Sequence, residues 1–155
     1  MKVLWVAALL VLGGAAEAQS PSAGRCFGTG EVTSPDGALS ARITRSGRST
    51  CGESRVEIFL ADGHLLSVAD YTSSDGQGGE GVIQLAWSPD SQYLVYSLSQ
   101  PANRPSGRYT LAIYARKHNK VKTLAAARPE FSFTAEALEM TGGDGQTVRL
   151  PLAAQ

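Results

Sequence analysis

Few side chains in this 155-residue chain are of a type and spacing that could do chemistry. The only histidines are His64 and His118, and each sits among turn-forming residues, which places them at exposed hairpin ends. Two isolated histidines do not make a metal site. No Gly-x-Ser-x-Gly elbow is present to hold a serine nucleophile. Gly76-Gln77-Gly78-Gly79-Glu80-Gly81 matches the letters of a dinucleotide-binding loop. The segment after it is β-patterned and runs into Pro89, so no helix N-terminus is there to receive a pyrophosphate. Asp70, Asp75 and Glu80, in and around that loop, fit no EF-hand spacing and read as solvated carboxylates. No catalytic residue, cofactor or metal site is expected. The one enzyme reading left open is a hydrolase that uses His64 or His118.

The two cysteines, Cys26 and Cys51, carry a different chemistry. There is no Cys-x-x-Cys pair and no histidine beside either one, so a disulfide is preferred over a metal pair or a reactive thiol. Closing that loop stabilises the fold by about 3.5 kcal/mol in the chain-entropy estimate. The compartment agrees. Lys2, an apolar run from Val3 to Leu12 and the small-x-small site Ala16-Glu17-Ala18 form a secretory signal peptide. The run is too short to span a bilayer, which takes roughly 20 residues. Cleavage after Ala18 leaves a mature chain from Gln19, with a flexible leader over residues 19–24. The expected location is an exported space, periplasmic or secreted, with no integral membrane segment after cleavage.

Charge excludes further classes. Lys plus Arg and Asp plus Glu are both 14, and a neutral chain offers no footprint for nucleic acid or anionic lipid. The basic groups Arg42, Arg45, Arg48, Arg55 and Arg116, Lys117, Lys120, Lys122 then read as solvated faces. Two long loops, Thr72 to Gly81 and Gln100 to Arg108, are the candidate contact surfaces, with Tyr71, Asp75, Arg104 and Arg108 as the most interactive side chains in and beside them.

The elements that must position these groups are strands. Seventeen glycines and seven prolines punctuate short alternating runs, and no amphipathic helix is visible. Strands are expected over Phe27–Val32, Leu39–Thr44, Val56–Leu60, His64–Tyr71, Val82–Trp87, Tyr93–Leu98, Arg108–Ala115, Val121–Leu124, Phe131–Phe133, Ala137–Met140 and Thr147–Leu150. Asp62-Gly63 marks a hairpin. Trp87, Tyr93 and Tyr96 read as core.

Two turns repeat, Ser34-Pro35-Asp36-Gly37 and Ser88-Pro89-Asp90-Ser91, 54 residues apart. A third group aligns without gaps when Phe133 is placed under Trp87 and Met140 under Leu94. The stretch Leu85-Ala86-Trp87-Ser88-Pro89-Asp90-Ser91-Gln92-Tyr93-Leu94-Val95-Tyr96 resembles the repeat of TolB-type, WD40-like (PD40) β-propellers. The resemblance is good over Gly81–Leu124, moderate over Thr33–Tyr71, where Thr33 replaces the aromatic, and degenerate over Phe131–Pro151. It implies an all-β domain over residues 25–155 made of antiparallel four-stranded meanders, an incomplete propeller stapled by one disulfide. Closed propellers need at least about four blades of roughly 40 residues, more than this chain supplies. An arc with an uncovered apolar face suggests a non-enzymatic module that binds another protein, an envelope component or a second copy of itself. A small secreted inhibitor or immunity-type protein is the alternative in a different class.

Overall fold

The computed structural model describes residues 26–47, 51–101 and 107–152. The expected signal peptide and leader, Arg48 and Arg104 lie outside the described residues. Ten strands succeed one another: β1 (Gly30–Thr33), β2 (Leu39–Ser46), β3 (Glu53–Leu60), β4 (Leu65–Asp70), β5 (Val82–Trp87), β6 (Tyr93–Leu98), β7 (Tyr109–Ala115), β8 (Lys120–Phe133), β9 (Ala137–Gly142) and β10 (Thr147–Pro151). A short 3-10 turn, Arg116–His118, links β7 to β8. All pairings are antiparallel and sequential, giving a four-stranded sheet β1-β2-β3-β4 and a six-stranded sheet β10-β9-β8-β7-β6-β5. The chain is therefore all-β, built of antiparallel meanders, and the second sheet has six strands where four-stranded units were expected. Cys26 and Cys51 form the disulfide, with Cα atoms 5.2 Å apart.

Alternation decides what each face meets. In β2, Leu39, Ala41 and Ile43 are buried and Arg42 is exposed, as a strand with one covered face requires. In β6 every residue from Tyr93 to Leu98 is buried, so both faces are covered. Leu94, Tyr96 and Leu98 join Trp87, Ala112 and Tyr114 against the first sheet. Tyr93 and Val95 join Leu111 and Ile113 against Phe131, Leu138, Met140 and Leu152.

The second of these cores requires the six-stranded sheet to fold over on itself. Strands β5 and β8 are three places apart in the ladder, about 14 Å in a flat sheet. Yet the Gln84 amide in β5 donates to the Phe131 carbonyl at 2.9 Å and accepts the Phe131 N–H at 3.1 Å. The bend lies where the register of β8 against β9 shifts between Ala126 and Phe131. Pro129, which has no N–H to give a ladder, stands inside this gap. Thus the runs read separately at Val121–Leu124 and Phe131–Phe133 are one 14-residue strand, and the third group extends the second sheet. Its turn is also tighter. Ser34 and Ser88 accept from the N–H five residues on, Leu39 and Tyr93, whereas Thr134 accepts from Ala137, three residues on. The gap-free alignment of Phe133 and Met140 therefore does not hold across that turn.

The two Ser-Pro-Asp turns join the sheets. Ser91 takes a positive φ of 61°, where the first turn has Gly37. Its hydroxyl accepts the Asp36 N–H at 3.0 Å, across the sheet boundary. The Asp36 carboxylate also meets Arg116 at 2.6 Å, and Trp87 Nε1 donates to the Val32 carbonyl at 3.0 Å. Backbone strain at Ser91 is thus coupled to an inter-sheet bond. Ser91→Ala keeps the strained φ and loses the bond, so it should destabilise by about 1 kcal/mol or more. Ser91→Gly also loses the bond but relieves the strain and should cost less. Urea denaturation of both variants tests this, and equal losses would contradict it.

Candidate interaction surface

The loop between β4 and β5 is organised by one carboxylate. Glu53, at the start of β3, is 1% exposed. It accepts the Ser73 N–H at 2.7 Å, the Ser73 hydroxyl at 2.5 Å and the Gly79 N–H at 2.8 Å. The Ser73 hydroxyl is the main cause holding its carboxyl below the usual range, followed by the Ser73 N–H. Gly79 is required here, because a Cβ would collide with the Tyr71 carbonyl oxygen. Asp75 accepts the Gln77 and Gly78 N–H groups at 2.9 and 3.0 Å. The Gln77 N–H above all, with the Gly78 N–H beside it, holds its carboxyl down at about 2.

The residues singled out in the sequence are spread over the molecule. Asp75 and Tyr71 belong to this internally bonded loop. The Tyr71 hydroxyl lies 2.9 Å from that of Tyr96, with the rings edge to face at 6.0 Å. Burial raises both phenols above their ordinary value. Arg108 lines a cavity of 230 Å³ with Glu80, Tyr109 and Thr110, where burial raises the Glu80 carboxyl. His64 and His118 are exposed, one in the β3–β4 turn and one in the 3-10 turn. Among the described residues, no three His, Cys, Asp or Glu side chains group in a way that could hold a metal.

The larger opening is on the outward face of β1–β4. Register sets its side chains in rows: Thr33, Ser40, Phe59 and Leu65 in one, and Glu31, Arg42, Glu57 and Val68 in the next. Arg42 bridges them, 3.4 Å from Glu31 and 4.6 Å from the centre of the Phe59 ring. Leu60, Leu65 and Val68 are 36%, 43% and 41% exposed, the large exposed apolar side chains of the described residues. Beside them runs a groove of 320 Å³, lined among others by Thr33, Gly37, Ser40, Arg42 and Ala61.

The groove has a structural origin. Thr33, Gly37 and Ala61 occupy the places that Trp87, Ser91 and Arg116 hold in the second sheet. The matches come from the shared turn bonds: Ser34 N–H to Leu39 O and Ser88 N–H to Tyr93 O, then Ala61 N–H to Ala38 O and Arg116 N–H to Gln92 O. Those three side chains of the second sheet grip the first. Their counterparts on the first sheet's outward face are too small to grip anything, and a slot remains.

Sequence reading missed this surface because it sorted each strand into one apolar and one solvated face. Phe59 and Val68 fall on the solvated face, which was the available signal. Leu65 and Leu66 are adjacent, and an irregularity in the β3–β4 register between Ile58 and Phe59 lets Leu66 pack inward while Leu65 stays out.

Glu53 yields a pH prediction. Its folded-state carboxyl is lowered, so its contribution to stability is full above the unfolded value near 4.5 and is lost as pH falls through the folded value. Glu53→Gln should destabilise at pH 7 and reduce the acid-induced loss as pH falls below about 4.5. Asp36 and Asp70, also lowered, keep part of that slope. Denaturation midpoints against pH check this, and an unchanged slope in the variant would contradict it.

No family model and no curated protein matches the chain. Among solved structures it is similar to a candidate 6-phosphogluconolactonase from Bacteroides fragilis, at 17% identity and a TM-score of 0.45, over 77% of this chain and 36% of that one. It is also similar to the tricorn protease, at 10% identity and a TM-score of 0.30, over 79% of this chain and 21% of that one. The chain spans about a third of the first protein's length and a fifth of the second's.

Proposed function

We propose that this chain is an exported, non-enzymatic protein-binding module whose contact surface is the outward face of β1–β4. The observation that carries the reading is the pairing of exposed Leu65 and Val68, with half-buried Phe59 between them and an adjoining groove, on one sheet face. The central strand β6, in contrast, has both faces covered. Contiguous exposed apolar surface beside polar groups is a mark of interaction sites. The TolB-type resemblance of the repeat fits a binding scaffold and specifies no reaction. Export rests on the signal-peptide pattern, and the Cys26–Cys51 disulfide supports it.

An inhibitor-type protein would place recognition in its polar loops. The 72–81 loop uses Glu53, Ser73 and Asp75 on its own backbone, which favours the sheet face instead. The hydrolase reading rests on His64 and His118, which come after strands of different sheets.

Site-specific photo-crosslinking in an extract of the exported compartment tests the proposal. A crosslinker at Val68 should trap a defined protein species, with another copy of the chain counted as one. The same group at Glu139, on β9, should not, and Leu65→Asp should cut the Val68 yield at least tenfold. Equal yields at both positions, or none at Val68, would overturn the reading.

A further inference from the structure

The outward face of β1–β4 is complementary to itself, and we infer that it pairs with the same face of a second copy about a two-fold axis. The inference rests on the proposed contact surface and names its partner. Consider an axis lying in the interface, parallel to the strands and midway between β2 and β3. It lays β4 of each copy over β1 of the other, and β2 over β3. The observed register then brings Leu65 over Thr33 and Val68 over the stem of Glu31. It also brings Arg42 of each copy over Glu57 of the other. The apolar ridge on β4 thus enters the slot beside β1, and opposite charges meet twice. Matching a surface to itself in this way is what an isologous interface requires.

The structure separates this arrangement from a head-to-tail ring. A ring would need the outward face of β1–β4 to receive another copy as the second sheet receives the first. Thr33, Gly37 and Ala61 stand where Trp87, Ser91 and Arg116 would be needed. Zero net charge removes any long-range repulsion between copies. Four strands span about 19 Å and an eight-residue strand about 27 Å, so the footprint is on the order of 500 Å² per copy. Stable interfaces bury about 800 Å² per partner, so the dimer is weak, with a Kd between about 10 μM and 1 mM.

Sedimentation equilibrium of the mature, oxidised chain across that concentration range tests the inference. Wild type should pass from monomer to dimer, and Leu65→Asp should shift the transition at least tenfold upward. Arg42→Glu and Glu57→Arg should each weaken self-association at least tenfold. An equimolar mixture of those two variants should recover a heterodimer, because each charge then meets its opposite. Thermal melts at low concentration confirm that each variant is folded, and because mixing changes no sequence, recovery cannot come from restored folding. A wild type monomeric throughout, a Leu65→Asp dimer of unchanged strength, or no recovery on mixing would overturn the inference. If wild type is monomeric while Val68 still crosslinks a different protein, the two-fold pairing is wrong and the binding-module reading stands.

Discussion

The rest of the structure depends on β6 being buried on both faces. A meander of short strands can cover one of its faces by stacking on a neighbour, but the opposite face needs a second cover. Here the first sheet supplies one, through Leu39, Ile43, Val56 and Ile58. The chain's own C-terminal strands supply the other, because β8 bends at its Pro129 irregularity and carries Leu138 and Met140 back over Val95 and Ile113. Three layers result from two sheets. Tyr96 and Tyr114, both almost wholly buried, find hydroxyl partners in Tyr71 and Asn119, so their burial leaves no polar atom unmatched.

The same layering explains where apolar side chains stay exposed. The middle layer is closed on both sides. Strand β10 alternates exposed Thr147, Arg149 and Pro151 with half-buried Val148 and Leu150, so its outward side carries no large apolar side chain. The first sheet differs, since Phe59, Leu65 and Val68 sit on its solvent side next to a slot left by small residues. A repeat unit normally presents the same gripping groups on the same face. Here the second unit carries Trp87, Ser91 and Arg116, and the first has Thr33, Gly37 and Ala61 in their places.

Much of this fold was legible in the residues. Val82–Trp87 and Tyr93–Leu98 are strands over those very residues, because clean alternation and a Ser-Pro-Asp turn leave little freedom in their ends. The disulfide came from counting two cysteines in a chain whose first residues have a signal-peptide pattern. Two features were not legible. Ala125 to Ala127 look like a break in the pattern, yet small side chains are compatible with a strand that must bend closely over its neighbours. The 72–81 loop looks like a solvated insertion, yet a buried glutamate twenty or more residues earlier holds it. Long-range polar anchoring of this kind leaves no periodicity to read. The exposed apolar face of β1–β4 fell between these cases, since its apolar residues are scattered over two strands and only register assembles them.

The central claim is that two of the available sheet faces are sealed within the chain and one carrying apolar side chains is left open. Methyl-resolved NMR with a soluble paramagnetic gadolinium chelate measures this directly in a dilute sample. The Leu65 and Val68 methyls should relax strongly, while those of Leu94, Val95, Leu98 and Met140 stay unaffected on both sides of the middle layer. Strong relaxation at Val95 or Met140, or silence at Leu65 and Val68, would contradict it.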